Sequence, residues 1–464
     1  MELTPMMQQY LETKNRHPDE ILFFRLGDFY EMFFDDAKLV SRELGLTLTS
    51  RSGNKEKTPM CGVPYHAAES YIAKLINKGY KVAIAEQIGD PKAKGLTKRE
   101  VIKIVTPGTV LSESSLHDAQ NNYIALIAQE ADAIALAAAD VSTGECFYGV
   151  YEGKAARQML FDELYRLMMP ELILMGEIAF RDELDEFLAL RMPKCALTHR
   201  KAVFPDWKLR LTQHFDKDSL PRREFAQKAV AVLLDYLHET VKTDLSHINR
   251  LIYLDASANL VLDTYTLRNL EIIRNLRDGG KKNTLFDVLD FTRTPMGTRL
   301  LKAWLEHPLL TPHRIDARLD AVAELVEKST LRDALRDALH TVYDFERLLT
   351  RIETQTANAR DLVALRISLA ALPAVRACLA AAVSRLLVRA AGEIETFDAL
   401  RDELTRALVD EPGLSVREGG MIRAGYDADL DELRRFSHDS KSLLQEMEER
   451  ERTRTGIKTL KIGY

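Results

Sequence analysis

The first hundred residues alternate short apolar runs of strand character with one helical stretch: ILFFR at 21–25, DFYEMFF at 28–34, HAAESYIAKLINK at 66–78, KVAIAEQI at 81–88 and EVIKIV at 100–105. That order predicts a small α/β domain, entered through Thr4-Pro5 as helix N-cap and N1. A polar segment, TPGTVLSESSLHD at 106–118, reads as a connection. Beyond it, strands are predicted at 122–128, 133–141, 146–151 and 171–175, with a helix over 154–168, which gives a second α/β domain. From about residue 251 the apolar residues fall at helical spacing, as in Ile315, Leu319, Val322 and Val326, so the third region is predicted to be all-helical. Helix starts there are marked by Thr284 with Asp287, by Thr294-Pro295 and by Thr311-Pro312. A long charged helix over 429–455 carries a stripe of Leu430, Leu433, Phe436, Leu443, Leu444 and Met447. After Gly456, a C-cap by type, the alternation in IKTLKIGY predicts the start of a strand, as if the chain stopped inside a domain.

Composition narrows this further. At 464 residues the chain is too long for one core, and 46% hydrophobic with 29% charged residues is a globular balance. The net charge of −6 provides no bulk field for a polyanion, so any nucleic-acid surface must be local. Residues 1–108 are relatively basic, with 16 Lys/Arg against 14 Asp/Glu, while the remainder holds 48 against 56. The cations of that first region gather in two loop-like stretches, 51–57 and 92–103, where Arg51, Lys55 and Lys57 could reach phosphates. Four scattered cysteines give neither a disulfide framework nor a zinc knuckle, and the apolar stretch 372–388 is interrupted by Arg376 and Arg385. These features predict a soluble cytoplasmic protein with no membrane partner.

The candidate chemistry centres on DFYEMFF. Strand geometry puts Phe29, Glu31 and Phe33 on one face and Tyr30, Met32 and Phe34 on the other, so a single carboxylate interrupts two apolar faces. A carboxylate there is paired, with Arg25 or Arg51 as candidates, or turned toward a partner surface. Cys61 with His66, and His238 with His247, are too few for a structural metal site. Asp140, followed by Ser-Thr-Gly-Glu145 at the end of an apolar strand, offers a second reading as a metal-dependent nuclease, although Asp162, Glu163 and Glu171 are expected at the surface rather than converging on it. The phosphate-cradling pattern GxxxxGK[ST] is absent; its nearest imitation is RDGGKKNT at 277–284.

The runs 21–37, 58–87 and 99–109 resemble the mismatch-recognition domain of the MutS family of bacterial DNA mismatch repair proteins, and the resemblance continues through LDTYTLRNLEI at 262–272, 283–305, 419–434 and 450–464. It implies a mixed-sheet mismatch-recognition domain over 1–112, a ribonuclease-H-like connector over 113–250, a helical core and lever over 251–430, and the end of the lever with the start of a DNA clamp over 431–464. It further implies that Phe29 and Glu31 read the lesion while Arg51 contacts DNA, and that the partner is mismatched double-stranded DNA. By the same resemblance the full-length protein would be a homodimeric ATPase using ATP and Mg²⁺, with a MutL-like partner on the connector. Within this chain no catalytic residue, cofactor or metal is expected. A scaffold that only docks other proteins is the remaining alternative.

Overall fold

A computed structural model describes residues 4–53, 56–88, 97–111, 116, 120–200, 203–255, 257–413, 419–438, 440–457 and 459–461. The first region is built on a mixed sheet. Helix α1 (Pro5–Arg16) is capped by Thr4, whose side chain accepts the Met7 N–H at 3.4 Å. Strands β1 (Ile21–Leu26) and β2 (Phe29–Phe33) form a hairpin around Gly27, whose φ of +58° suits a glycine. Helix α2 (Phe34–Leu44) follows at once and ends on Gly45 at φ +68°. The strand stops at Phe33 because Phe34 takes φ +53° and swings toward α1, so Phe34 leaves the face that a continued alternation would give it. Strands β3 (Thr49–Gly53) and β4 (Glu56–Pro64), helix α3 (Ala68–Ile76), β5 (Val82–Ile88) and β6 (Lys98–Val105) complete the sheet in the order β3-β4-β2-β1-β5-β6. One face packs on α2 and α3 through Phe23, Tyr30, Met32, Val40 and Ile72; the other packs on α1 through Leu22, Phe24, Phe33 and Tyr10.

The connecting segment begins buried, unlike an ordinary surface loop; residues 112–115, 117 and 118 of it lie outside the described residues. Residues 106–111 lie within the protein, where Thr106 and Thr109 bond each other and the Gly108 N–H donates to Glu171 at 3.2 Å.

The second region is another mixed sheet, in the order β11-β10-β7-β8-β9-β12. It comprises β7 (Ile124–Glu130), β8 (Ala133–Asp140), β9 (Glu145–Tyr151), β10 (Glu171–Met175), β11 (Ala196–Arg200) and β12 (Leu251–Tyr253). Near-continuous apolar runs in β7 and β8 fit a sheet covered on both sides. Helices α4 (Ala156–Leu167) and α5 (Arg181–Arg191) cover one face. The other is covered by α6 (Trp207–His214) and α7 (Glu224–Val241).

The helical region begins at Thr264 and not near residue 251, because Leu251–Tyr253 still pairs with β9 as a strand; the expected order of α/β units followed by an all-α region is the order observed. Thr284 and Thr294 cap their helices through their side chains. Apolar side chains including Val288, Phe291, Val322, Val326 and Val383 remain exposed. The helix Ala359–Leu379 is long and apolar enough to cross a membrane by length and composition, further than the stretch 372–388 suggests. Here it packs on neighbouring helices and carries Arg366, which bonds Asp410 at 2.9 Å. The charged segment expected as one helix forms Ala428–His438 and Ser440–Thr455, and Gly456 ends it at φ +73°. No strand follows among the described residues after Gly456; residues 458 and 462–464 of the expected strand lie outside them.

Candidate nucleic-acid interface

The β1–β2 and β2–β4 registers fix what surrounds the Phe29–Glu31 pair. Leu26, Phe29 and Pro64 lie in one cross-strand row, Phe24, Glu31 and Gly62 in the next, and Phe33 pairs with Met60 beyond. Phe33 is covered by Tyr10 of α1, ring to ring at 5.0 Å, and is fully buried. Phe29, at the other end of the strand, belongs to neither buried cluster of this sheet and is 46% exposed, and Glu31 is half-buried beside it. An exposed aromatic ring and a carboxylate thus stand two residues apart on one sheet face, while Tyr30 and Met32 between and beyond them are buried on the opposite face.

Arg25 is not where the pairing with Glu31 requires it. It lies opposite Tyr30, on the other face of the sheet, where it forms an ion pair with Glu86 at 3.6 Å and lies over the Tyr65 ring at 3.9 Å. Burial, with a hydrogen bond to Glu86, raises the Tyr30 hydroxyl above the ordinary phenol range.

The loop expected at 51–57 is largely a hairpin. Arg51 pairs with Thr58 and Ser52 with Lys57 in the β3–β4 ladder; Lys55 lies outside the described residues. The ladder forms because β4 is long: Met60 to Pro64 bond β2, and the overhang from Glu56 to Met60 takes β3 as an edge. Thr58 and Gly62 are four residues apart, so the backbone partners of Arg51 and Glu31 are roughly 13 Å apart along β4. Of the second cationic stretch, residues 92–96 lie outside the described residues, and the described part is only partly a surface one. Arg99 turns inward onto the Phe24 ring and donates to Gln9, Arg25 O and Thr97 O. Burial lowers the Lys103 ammonium below the usual lysine range.

Comparison with known proteins agrees in every region. The family models for MutS domain I, domain II and domain III match residues 4–114, 122–249 and 265–460 in succession. The chain belongs to the MutS family. It is 45% identical to the DNA mismatch repair protein MutS of Pelotomaculum thermopropionicum over 99% of this chain, and 45% identical to that of Desulforamulus reducens over 100% of it. A third relative of the same name, from Symbiobacterium thermophilum, is 45% identical over 99% of the chain. The chain spans about half the length of these curated relatives, 54% in each case.

Within the MutS domain II region, the carboxylates that suggested metal chemistry are held by the protein itself. Asp140 is buried; its Oδ1 accepts Ser142 N–H and Oγ–H at 2.8 and 2.7 Å, and its Oδ2 accepts Asn122 N–H and Asn121 Nδ2–H at 2.9 and 3.1 Å. Such an oxygen pair already has the donors a buried carboxylate needs. Glu145 accepts from the Tyr123 hydroxyl at 2.7 Å, and burial, with Asp140 nearby, raises its pKa above the usual carboxylate range. Among the described residues no group of three His, Cys, Asp or Glu is placed to hold a metal. Cys61 is buried, with its thiol on Ala37 O at 3.4 Å, while His238 and His247 each bond a backbone carbonyl.

Asp162, Glu163 and Glu171 are buried, not surface, residues. Asp162 accepts Thr264 N–H and Oγ–H at 2.8 and 2.7 Å, joining domain II to the helical region. Glu163 pairs with Arg166 at 2.7 Å. Glu171 lies between the first two regions, taking Lys81 Nζ at 3.0 Å, Thr198 Oγ at 3.0 Å and Tyr236 OH at 2.5 Å. Nothing local in the sequence marks Asp162 and Glu171 as buried, because Thr264 and Lys81, which bond them, are about a hundred positions away; Glu163 does have a partner one helical turn on, Arg166, but a pair at that spacing is equally at home on a surface.

Proposed function

We propose that this chain recognises mispaired or unpaired bases in double-stranded DNA as the first step of mismatch repair, with Phe29 as the wedge and Glu31 as the hydrogen-bond acceptor. The observation that carries the reading is the uncovered end of β2, where an exposed ring stands beside a carboxylate on a rigid strand. Inserting a ring at a base step costs a few kcal/mol of unstacking, and the cost is lowest where pairing is already defective. The carboxylate accepts a hydrogen bond from a displaced base edge while its charge repels the phosphates of intact duplex, so it discriminates rather than attracts. Mispaired steps also bend more easily, which adds shape to the contact. Arg51, Lys55 and Lys57 hold the backbone.

In this reading residues 1–112 read the lesion, 113–250 connect, 251–430 form a core and lever, and 431–464 lead toward a DNA clamp. The protein acts in the cytoplasm as a homodimer and presents the connector to a MutL-like partner. ATP and Mg²⁺ serve parts of the family protein other than these, since this sequence lacks the GxxxxGK[ST] loop.

The test is a titration of mismatched and matched duplexes at two salt concentrations. Phe29→Ala brings the ratio of the two affinities to about one while salt-dependent binding persists. Glu31→Ala raises affinity for matched duplex more than for mismatched duplex. An unchanged ratio in Phe29→Ala, or equal gains in Glu31→Ala, refutes the assignment.

A further inference from the structure

The position facing Glu31 across the β2–β4 ladder is Gly62, in the interior of a strand whose neighbours Cys61 and Val63 are buried. Glycine is costly in such a place, because it loses more conformational freedom than other residues and packs nothing. Backbone geometry does not demand it here, since Gly62 is not among the glycines with positive φ. What remains is the missing side chain. A Cβ at Gly62 would meet Glu31 Cγ at 3.5 Å, Phe29 Cδ1 at 3.9 Å and Tyr30 O at 3.3 Å. A single methyl would therefore touch both the ring and the carboxylate stem, and it would press on a backbone oxygen that cannot yield without disturbing the ladder. Along the same face Met60 and Pro64 flank the position on β4, and Glu31 stands across the ladder from it.

We infer that Gly62 is a specificity-determining position: its bare backbone is the floor on which the Phe29 ring and the Glu31 stem stand side by side, at the spacing with which they address one defective base pair. Gly62 is a positioning residue, acting through Phe29 and Glu31. The inference rests on the proposed reading of those two residues. A β-branched side chain at 62 fills the floor and forces the ring or the carboxylate out of place, while the cations that hold the DNA backbone are untouched.

The experiment is titration of mismatched and matched duplexes with the unaltered protein, Gly62→Ala, Gly62→Val, Glu31→Ala and the Glu31→Ala/Gly62→Ala double variant, with thermal unfolding of each. Gly62→Val is expected to lower the ratio of mismatched to matched affinity about tenfold, and Gly62→Ala about threefold, with matched affinity changing less than about twofold. In the Glu31→Ala background Gly62→Ala lowers the ratio less, because the pair is coupled. A general structural defect would lower both affinities together, and that result, or an unchanged ratio in folded Gly62→Val, overturns the inference. If Gly62→Val does not fold, Gly62→Ala decides by the same criterion. An unaltered protein with no preference overturns the reading of Phe29 and Glu31, and this inference with it; a preference that Phe29→Ala abolishes and neither Gly62 variant changes overturns this inference alone.

Discussion

Phe29 and Phe33 are the same residue on the same face of the same strand, roughly 13 Å apart, and they face opposite environments. Phe33 lies under Tyr10, whose hydroxyl also accepts the Phe33 N–H at 3.2 Å; Phe29 lies outside that cluster and is 46% exposed. Neither the alternation of the strand nor the type of residue distinguishes them. What distinguishes them is the cover that Tyr10 of α1 gives Phe33, and what pins that helix. Lys14 near its C-terminal end bonds Asp36 at 2.9 Å and Glu20 O at 2.7 Å, which anchors the helix over the Phe33 end of the sheet. A surface that leaves one aromatic uncovered while burying its twin two pleats away is suited to binding, because an exposed ring on a rigid strand contributes to a contact without first being freed from a core.

The largest effect is expected of Phe33→Ala. It empties a fully buried site and should destabilise the protein by about 3–5 kcal/mol, the usual cost of a large cavity. Denaturant unfolding followed by tryptophan-independent far-ultraviolet signal checks it, and a cost near zero would mean that α1 does not cover this end. Asp36→Ala comes next. Asp36 accepts Leu22 N–H at 3.0 Å, Tyr10 OH at 3.3 Å and Lys14, so its loss strands a buried amide and unpins α1. About 3 kcal/mol is expected, at the low end for breaking a buried pair, because the Lys14 side chain keeps a quarter of its exposure.

The alternation of DFYEMFF is enough to identify β2 and to place Phe29 with Glu31 on one face, since a period of two depends only on local geometry. The hairpin carrying Arg51 and Lys57 is not legible in that way. Its residues, Thr-Ser-Arg-Ser-Gly and Glu-Lys-Thr, are polar and show no apolar alternation, and they become strands only because β4 overhangs β2 and offers an edge. The inward turn of Arg99 and the burial of Asp162 and Glu171 escape sequence reasoning for a related reason: charge type suggests the surface, whereas partners far along the chain, Thr264 for Asp162 and Lys81 for Glu171, supply the bonds that make burial tolerable.

Asp140 sharpens the contrast from the other direction, as a carboxylate enclosed by its own chain. Asp140→Asn replaces one acceptor oxygen with a donor facing donors, either Ser142 or the Asn121–Asn122 pair, and should cost about 2 kcal/mol of stability. The ratio of mismatched to matched affinity should not change. Magnesium-dependent DNA cutting that disappears in this variant would instead establish the nuclease reading.

The smallest effect on stability belongs to Phe29→Ala, and its smallness is informative. The ring is 46% exposed and lies at the edge of the packed face, so truncation should shift the unfolding free energy by no more than about 0.5 kcal/mol, within the usual range for surface positions. The same variant is expected to lose its preference for a mispaired duplex. Set against Phe33→Ala, the pair is expected to form a double dissociation on one strand face, stability lost with the covered ring and discrimination lost with the bare one. A Phe29→Ala protein that unfolds as readily as Phe33→Ala would place the ring in the core and rule it out as a wedge, whereas unaltered stability with lost preference would assign the exposed end of β2 to DNA.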